Sequence, residues 1–519
     1  MIRTLLLLLS TVGAAPRPKL VVVITVDQLR PDYVDRYRAQ LKDGFAMLLA
    51  RGAYFTDAYQ DHAVTETAPG HSTILSGRWP AHTGILRNAT GVNDSTAPLL
   101  GAAGPGASPA RFRGTALFDW LQAAQPRARA LSVSRKDRGA ILPIGRAKQQ
   151  VYWYQAGIFT TSRYYADSLP TWVLEFNAAR IPFRAAGRPW TLLLPERSYP
   201  EPDSVPYENG GHDFTFPHYL PADSVQAASA LTGVPTMDSL TLAFALDGVR
   251  VLQLGGRGAT DLLAVSLSTT DAVGHAYGPD SREIHDQVLR LDRYLGWFLQ
   301  QLFVRYGTAN VLIVLTADHG VTPVLERSRA LGHPGAVRVI PDSIIRNVNA
   351  ALDQRVGGAD WLEFDTGMLL VDRAKLARRG VDVDSVIGDV AARLRAVPGV
   401  ARVDRPADLA GKQAADPVAR RWVHQVPPDA GVELVVTLKP YSIWSYADLP
   451  PAVVAMHGQP SDWDAHVPLI LWGPGVQRGV YRERVNTVDI APTLARLLDV
   501  TPAEPLDGRV LAEALDGQP

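Results

Sequence analysis

The chain has 519 residues, enough to bury a large core and to form more than one structural unit. Its 52 basic and 52 acidic residues leave no net charge, which excludes a chain-wide basic surface and indicates no nucleic-acid partner. The absence of cysteine excludes disulfides, thiolate chemistry and cysteine-bound zinc, so any metal must be bound by His, Asp, Glu or a hydroxyl group.

The N-terminal sequence MIRTLLLLLSTVGAAPRPK has the pattern of a signal peptide, with Arg3, an apolar run and small residues at positions 13–15. We therefore predict a signal peptide over residues 1–15 and a periplasmic or secreted protein. No later stretch is long and apolar enough to span a bilayer, so no transmembrane span is expected once the signal is removed. A buried N-terminal helix and an uncleaved leader are the alternatives.

Four apolar runs rich in β-branched residues predict strands that are buried on both faces. Between them lie helical patterns, most clearly over Ile284–Phe303, where apolar residues recur at steps of three and four. Strands that alternate with amphipathic helices predict an α/β fold, with a mostly parallel sheet flanked by helices. The predicted strands are Leu20–Val26, Leu262–Leu267, Val311–Leu315 and Val467–Trp472.

Two segments depart from this pattern within the main domain, which we expect to cover residues 16–519. Residues 152–247 are rich in aromatic residues, proline and loop-forming residues, and predict a loop-rich insertion that could overhang a site. Residues 321–454 carry their own strand and helix patterns, and predict an inserted α+β cap.

Polar residues follow three of the predicted strands. Asp27 follows the first, Asp271 lies just after the second, and Asp318 and His319 follow the third. Ligands of open α/β sheets gather beyond the carboxyl ends of the strands, so these side chains are candidates for one site.

The first candidate metal group contains Asp271, His275 and His466. Asp271 and His275 are four residues apart, so one helical turn would place both on the same face. His466 directly precedes the last predicted strand. A carboxylate and two imidazoles are a suitable set for a divalent metal with an open coordination position.

The second candidate group is richer in oxygen and contains Asp27, Asp318, His319 and the hydroxyl of Thr67. Adjacent side chains normally point apart, so Asp318 and His319 can serve one site only if the backbone turns, which Gly320 permits. Taken singly, an Asp-His-Gly element is more typical of a turn than of a metal site. A lone histidine such as His466 is more typical of a hydrogen-bonded residue in the core or at the surface.

Thr67 lies in the stretch VTETAPGHSTILSGRWPAHTGILRN, at the predicted start of a helix. A free threonine hydroxyl is a poor nucleophile, and metal coordination is one way to activate it. The helix N-terminus would favour an incoming anion. Thr67 could equally be a helix N-cap, which is compatible with this role.

Lys136 and Arg138 form the third constellation, in SRKDRGA. In an extended segment their side chains point the same way. Alone, such a pair is usually solvated; beside two metals it would form a clamp for a dianionic group.

Four motifs in chain order resemble the alkaline phosphatase superfamily, and more narrowly its Thr-nucleophile phosphatases related to nucleotide pyrophosphatase/phosphodiesterases. The resemblance covers nearly the whole chain after the leader. The motifs are T-x-P-G-H at residues 67–71, D-x-x-G-H-x-Y-G-P at 271–279, T-A-D-H-G at 316–320 and D-x-H-V-P-L at 464–469.

The resemblance implies two Zn²⁺ ions and a phosphothreonine formed on Thr67, which a metal-bound water then hydrolyses. It implies that Asn88 contacts a phosphoryl oxygen. The implied ligands are Asp271, His275 and His466 for one zinc, and Asp27, Thr67, Asp318 and His319 for the other.

The Lys136–Arg138 pair resembles that of the phosphomonoesterases in this superfamily. A monoester carries more negative charge than a diester, and two cations aimed at that charge favour phosphate monoesters. The alternatives are a phosphodiesterase or nucleotide pyrophosphatase with the same metals and nucleophile, and a catalytically silent phosphate- or metal-binding protein. The sequence indicates neither the natural substrate nor the oligomeric state.

Overall fold

A computed structural model describes residues 17–446 and 452–516. The predicted signal peptide, residues 1–15, lies outside the described residues. Within the described part of the chain, none of the helices combines the length and the apolar character needed to cross a bilayer.

The described residues contain eighteen strands. In chain order they are β1 Leu20–Val26, β2 Ala53–Tyr59, β3 Ala130–Ser134, β4 Gln150–Gln155, β5 Ile158–Thr160, β6 Pro189–Trp190, β7 His218–Tyr219, β8 Asp261–Leu267, β9 Val311–Thr316, β10 Arg338–Val339, β11 Leu362–Asp365, β12 Met368–Val371, β13 Val400–Asp404, β14 Val432–Leu438, β15 Ile443–Trp444, β16 His466–Trp472, β17 Gly479–Tyr481 and β18 Val485–Asn486.

The same residues form nineteen α-helices. They are α1 Pro31–Arg36, α2 Gly44–Arg51, α3 Thr67–Ile74, α4 Pro80–Thr83, α5 Asn88–Gly91, α6 Leu117–Ala124, α7 Asp137–Ile141, α8 Thr171–Ala178, α9 Ser224–Ala230, α10 Thr236–Val251, α11 Thr269–Tyr277, α12 Arg282–Tyr306, α13 Leu325–Ala330, α14 Asp342–Val356, α15 Arg373–Arg378, α16 Val383–Arg395, α17 Pro417–Gln425, α18 Asp462–Ala465 and α19 Ile490–Leu498.

A ten-stranded sheet forms the centre of the molecule, with the spatial order β17-β2-β16-β9-β1-β8-β3-β4-β5 and β18 paired to β2. β1 lies between β8 and β9 and is parallel to both. β16 is antiparallel to β9 and to β2, and β5 is antiparallel to β4. This confirms the predicted α/β fold with a mostly parallel sheet flanked by helices.

The sequence of β1, LVVVITV, explains its central position, because all seven of its residues are buried. Successive side chains of a strand point to opposite faces of a sheet. Accordingly, Val22 and Ile24 belong to one hydrophobic cluster, while Val21 and Val23 belong to a second cluster on the other face. A strand that is apolar at every position is therefore what a sheet covered on both faces requires.

The predicted helix over Ile284–Phe303 is observed as α12, which extends two residues further at the start and three at the end. The hydroxyl of Ser281 caps its first turn by accepting a hydrogen bond from the Ile284 N–H at 3.1 Å. The helix ends at Gly307, which has φ +76°. Its apolar face covers one side of the main sheet.

The segment 152–247, for which the sequence predicts a loop-rich insertion, contains strands and helices as well as loops. It begins inside β4, which pairs with β3 and extends the main sheet. It ends with the 16-residue helix α10, whose apolar residues belong to the main core. Aromatic residues of this segment, such as Tyr152 and Phe159, are buried in this core.

The segment 321–454 contains an antiparallel sheet of four strands in the order β11-β12-β14-β13. Residues of α14 and α16 join this sheet in a hydrophobic cluster of their own. The arrangement matches the α+β character that the sequence predicts, and the domain limits of residues 321–454 remain a prediction.

Candidate active site

The carboxyl ends of the parallel strands bring the predicted side chains together. Asp27 follows β1, Asp271 lies in the first turn of α11 after β8, and Asp318 follows β9. Thr67 is the first residue of α3, so its expected place at a helix start is observed, although Glu66 rather than Thr67 is the N-cap. Thr67 is 1% exposed.

The ammonium group of Lys136 lies at the centre of this cluster. It is 2.6 Å from Oδ2 of Asp27, 2.7 Å from Oδ2 of Asp271, and donates a hydrogen bond to Oγ1 of Thr67 at 3.0 Å. A single cation therefore contacts the threonine hydroxyl and two buried carboxylates.

A first group of metal-ligating side chains consists of Asp271, His275 and His457. Nε2 of His275 is 3.2 Å from Oδ1 of Asp271, one helical turn away, as the four-residue spacing predicts. Nε2 of His457 is 3.6 Å from the same oxygen and 3.2 Å from Nε2 of His275.

The tautomers of this group favour metal binding. Nδ1 of His275 donates to the carbonyl of Ala455 at 2.7 Å, and Nδ1 of His457 donates to the carbonyl of Thr65 at 2.8 Å. When each ring is neutral, its Nε2 therefore carries a lone pair that faces the group. Two lone pairs that face each other across 3.2 Å repel unless a metal cation or a shared proton lies between them.

His466 is not part of this group, so the prediction that it joins Asp271 and His275 is wrong. It is the first residue of β16, where its Nε2 hydrogen-bonds the carbonyl of Thr56 at 2.9 Å. Its ring stacks on Tyr59, the residue opposite it in β2, with 4.7 Å between centroids. Pairing with β2 directs the imidazole into a surface cleft.

His457 is the functional residue that the sequence reasoning missed. It lies in a connection without helix or strand, Ala455-Met456-His457-Gly458, where no strand pattern marks it. The available signal is the His-Gly pair, which repeats the His319-Gly320 element; Gly458 has φ +98°. The ring of His457 stacks on that of His319 with 3.7 Å between centroids.

A second group consists of Asp27, Asp271 and His319, whose ligand atoms lie within 4.8 Å of one another. Nε2 of His319 is 3.4 Å from Oδ1 of Asp27 and 3.7 Å from Oδ2 of Asp318. Nδ1 of His319 donates to the carbonyl of Gly320, which again leaves Nε2 facing the carboxylates. Asp271 thus lies between the two groups rather than in the first alone.

The donor atoms of the second group fit a divalent cation. Oδ1 of Asp27, Oδ2 of Asp318 and Nε2 of His319 are buried and have no hydrogen-bond partner within the described residues. The carboxylates of Asp27, Asp271 and Asp318 are at most 4% exposed. Buried, unpaired acceptors of this kind are costly unless a cation binds them.

The pKa values of the site also indicate that a bound cation would stabilise its buried carboxylates. Burial raises the pKa of Asp27, and the charges of Asp271 and Asp318 raise it further. Burial also acts to raise the pKa of Asp271, but Lys136 and His275 outweigh it and hold that pKa well below its usual value. Burial lowers the pKa of His319, which keeps its imidazole neutral and able to bind a metal.

Asn88 lies beside the start of α3, next to Thr67. Its Oδ1 accepts a hydrogen bond from the N–H of Ala68 at 2.8 Å, and its own N–H donates to Oε2 of Glu66 at 2.7 Å. Its Nδ2 has no hydrogen-bond partner within the described residues. Because Oδ1 is fixed, Nδ2 is held as a free donor next to Thr67.

The backbone around Arg138 differs from the predicted extended segment. Lys136 is extended, but α7 begins at Asp137, so Lys136 and Arg138 do not alternate along a strand. The guanidinium of Arg138 contacts Oδ1 of Asp137 at 3.4 Å. Its buried Nε has no partner in the part of the chain that the structure describes.

The family described as Type I phosphodiesterase / nucleotide pyrophosphatase matches residues 21–334. Alkaline phosphatase PhoV of Synechococcus elongatus is 33% identical, over 96% of this chain and 93% of PhoV. Alkaline phosphatase PafA of Elizabethkingia meningoseptica is 30% identical, over 97% of this chain and 95% of PafA.

Solved structures also show similarity to alkaline phosphatase PafA. The crystal structure of PafA superposes with a TM-score of 0.88 at 29% identity, and covers 97% of this chain and 100% of its own. A second PafA structure carries substitutions of a threonine, an asparagine, a lysine and an arginine, the last two separated by one residue. Murine ectonucleotide pyrophosphatase / phosphodiesterase 5 has a TM-score of 0.54 at 16% identity, over 94% of this chain and 97% of its own, a likeness of fold alone.

Proposed function

Because the chain belongs to the Type I phosphodiesterase / nucleotide pyrophosphatase family, we propose that its site hydrolyses phosphate monoesters through a phosphothreonine formed on Thr67. PhoV and PafA, which match nearly the whole chain, are named alkaline phosphatases, and this confirms the predicted relation to that superfamily. The chain is accordingly a metal-dependent phosphoric monoester hydrolase.

One observation carries the proposed chemistry: the Lys136 ammonium joins the Thr67 hydroxyl to the carboxylates of both metal groups. We propose two Zn²⁺ ions, one bound by Asp271, His275 and His457 and the other by Asp27, Asp318, His319 and Thr67. The two imidazoles of the first group favour zinc over magnesium or calcium. Two such cations, when bound, activate oxygen nucleophiles and stabilise the leaving oxygen.

The chain's own residues define two steps. Oγ1 of Thr67 forms a bond to phosphorus as the bond to the ester oxygen breaks, which gives phosphothreonine and an alcohol. Water then attacks phosphorus, releases inorganic phosphate and regenerates the hydroxyl. Lys136, 3.0 Å from Oγ1, stabilises negative charge on the threonine oxygen. Asn88 and Arg138 are proposed to donate to phosphoryl oxygens.

The four substituted residue types of the second PafA structure support this assignment. Threonine, asparagine, lysine and arginine occur in the same order here, as Thr67, Asn88, Lys136 and Arg138, and the last two are again separated by one residue. Export of the enzyme to the periplasm or medium is proposed from the N-terminal sequence alone.

Thr67→Ala tests the covalent step. We expect a loss of at least about 10³-fold in kcat for p-nitrophenyl phosphate, because the variant has no oxygen to carry the phosphoryl group. Thr67→Ser, which keeps a hydroxyl, should retain measurable activity and form acid-stable phosphoserine. Full activity of Thr67→Ala at unchanged metal content would refute the proposed nucleophile.

The Lys136→Ala/Arg138→Ala variant tests the preference for monoesters. We expect its kcat/KM to fall more for p-nitrophenyl phosphate than for bis-p-nitrophenyl phosphate, because the second ester group removes the charge that the two cations bind. Measuring both substrates with wild type and variant gives the ratio directly. An equal loss on both substrates would instead favour the phosphodiesterase alternative.

A further inference from the structure

We propose that Gln28 is a positioning residue that holds one carboxylate of each proposed metal group, and that Gly274 makes the space its amide needs. The inference rests on the proposed function, because it assigns Gln28 a role towards the two metal groups. Gln28 follows Asp27 directly and is fully buried.

Two hydrogen bonds connect Gln28 to the two groups. Its side-chain Nε2 donates to Oδ1 of Asp271 at 2.9 Å, and its backbone N–H donates to Oδ1 of Asp318 at 3.2 Å. The amide nitrogen must face Asp271, because the amide oxygen in that position would meet a carboxylate oxygen without a proton between them.

The hydrogen bond from Gln28 is made to Oδ1 of Asp271, the oxygen nearest the two histidines of the first metal group. Oδ1 of Asp271 is the oxygen that faces Nε2 of His275 at 3.2 Å and Nε2 of His457 at 3.6 Å. Lys136 contacts the other oxygen, Oδ2, at 2.7 Å. Gln28 and Lys136 together fix the plane of this carboxylate.

The backbone of Gln28 has φ +66°, in the left-handed region that residues other than glycine rarely adopt. This conformation directs the N–H towards Asp318, on the side of β9, while the side chain reaches Asp271 in α11. Strained backbone of this kind is concentrated at functional sites, where the surrounding structure maintains it.

Gly274 makes the side-chain position possible. A Cβ at residue 274 would lie 1.8 Å from Oε1 of Gln28, a distance that no structure tolerates. Gly274 lies inside α11, where alanine would otherwise be the more favourable residue for a helix. Oε1 of Gln28 has no hydrogen-bond partner in the described residues. A buried amide oxygen without a partner destabilises the fold, and we infer that the contact of Nε2 with Asp271 outweighs this cost.

The experiment compares Gln28→Ala, Gly274→Ala and the double variant by zinc titration of the metal-free protein against a chromophoric chelator, with kcat/KM measured in parallel. Partners that orient metal ligands typically change metal affinity about 10- to 100-fold, so we expect zinc binding to weaken by at least about tenfold in Gln28→Ala. Gly274→Ala should weaken it similarly, because its methyl group displaces the amide. The double variant should match Gln28→Ala alone, since the methyl group then has nothing to displace.

Two control variants make the same Gln→Ala and Gly→Ala changes at positions away from the site. Gln149→Ala removes an amide that bonds the N–H of Ala130 at the opposite end of β3, and Gly388→Ala adds a methyl group that meets no atom within 4 Å apart from the neighbouring backbone of its own helix. Both should bind zinc like wild type. Gln28→Asn is a second test, for the case in which Gln28→Ala does not fold, because asparagine tolerates the left-handed backbone. Its side chain is too short to reach Asp271, so its zinc affinity should fall as in Gln28→Ala.

Wild-type zinc affinity in Gln28→Ala or Gln28→Asn would overturn this inference and leave the proposed function intact. Full additivity of Gly274→Ala with Gln28→Ala would overturn the pairing with Gly274. A wild-type protein that binds no zinc would overturn the proposed metal chemistry and this inference together.

Discussion

His457 and His466 differ in their surroundings although only eight residues separate them. Nε2 of His457 faces the Asp271 group, whereas Nε2 of His466 donates to a backbone carbonyl. We expect His457→Ala to weaken zinc binding by about 100-fold or more, because a metal ligand is lost, and to reduce phosphatase activity in proportion at limiting zinc. Zinc titration and hydrolysis of p-nitrophenyl phosphate measure both effects.

His466→Ala is the matched control for this prediction. It removes an imidazole of the same kind from the surface cleft, so zinc affinity and activity should remain within about twofold of wild type. If His466→Ala instead lost zinc and His457→Ala kept it, the ligand set proposed from the structure would be replaced by the one expected from the D-x-H-V-P-L motif.

The contrast between these histidines explains how far single residues could be predicted. Asp27, Asp271 and Asp318 could be placed because each follows a strand whose apolar run is unmistakable. The position of His457 depends on a connection that returns from the segment 321–454, and no local pattern encodes that path. His466 was attractive because it precedes a strand, and antiparallel β16 does begin at the edge where the parallel strands end. Its imidazole, however, is held by the carbonyl of Thr56 and the ring of Tyr59 and does not reach the Asp271 group.

At the scale of elements, the hairpin β11–β12 reaches the start of α3 from the small antiparallel sheet. The hydroxyl of Thr366, in the hairpin turn, lies 3.1 Å from Oε1 of Glu66 and 2.9 Å from Oδ1 of Asp365, so its one proton is shared between these two acceptors. Oε2 of Glu66 accepts from the backbone N–H of Asn88. Thr366 has φ +45° and Gly367 has φ +79°, as a two-residue type I′ turn requires. The hairpin therefore supports Glu66 and, through it, Asn88, the two residues that flank Thr67.

Thr366→Val removes this hydroxyl while it keeps the shape and the branched Cβ. A buried hydrogen bond to a carboxyl group is worth about 1–2 kcal/mol, so we expect kcat/KM to fall by up to about 30-fold, with zinc affinity unchanged because no ligand is touched. Steady-state kinetics and zinc titration separate the two quantities. Thr366→Ser should restore most of the activity; an effect of equal size in both variants would contradict the role of the hydroxyl.

Helices and strands could be predicted where burial determines the pattern of apolar residues. The run LVVVITV is typical of a central strand, and the three- and four-residue steps in α12 are typical of an amphipathic helix. The short helix α7 was not predictable from SRKDRGA, because five residues are fewer than two turns and tertiary packing, not propensity, stabilises a helix this short. The contact between the hairpin and Glu66 joins residues 300 positions apart, beyond any local signal.

At the scale of the whole molecule, Asp61 connects three distant parts of the chain. It lies between β2 and α3, and its carboxylate pairs with Arg420 at 2.6 Å and Arg421 at 3.1 Å, both in α17. Arg484, between β17 and β18, approaches it at 3.3 Å. Arg421 also bonds the carbonyl of Pro460, in the connection that carries His457. This junction thus maintains the arrangement on which the site depends.

Asp61→Asn should weaken the junction. Burial acts to raise the pKa of Asp61, but the hydrogen bond from Arg420 and the charge of Arg421 outweigh it and lower that pKa from 3.8 to about 2. A folded-state pKa below the unfolded value contributes stability above pH 4, and this contribution is lost as the pH falls from about 4 to about 2. The shift corresponds to about 2 kcal/mol, or a melting temperature lower by about 2 °C in a chain of this length.

Thermal unfolding of wild type and Asp61→Asn at pH 7 and pH 3 measures this contribution. The difference between the two proteins should be fully present at pH 7 and should shrink at pH 3, where Asp61 is mostly protonated in the unfolded chain but still mostly ionised in the folded protein. Glu326→Gln, which breaks the more exposed pair with Arg338, should change stability by no more than about 1 kcal/mol at pH 7. A difference between wild type and Asp61→Asn that stays constant from pH 7 to pH 3 would mean that the carboxylate charge does not hold the junction together.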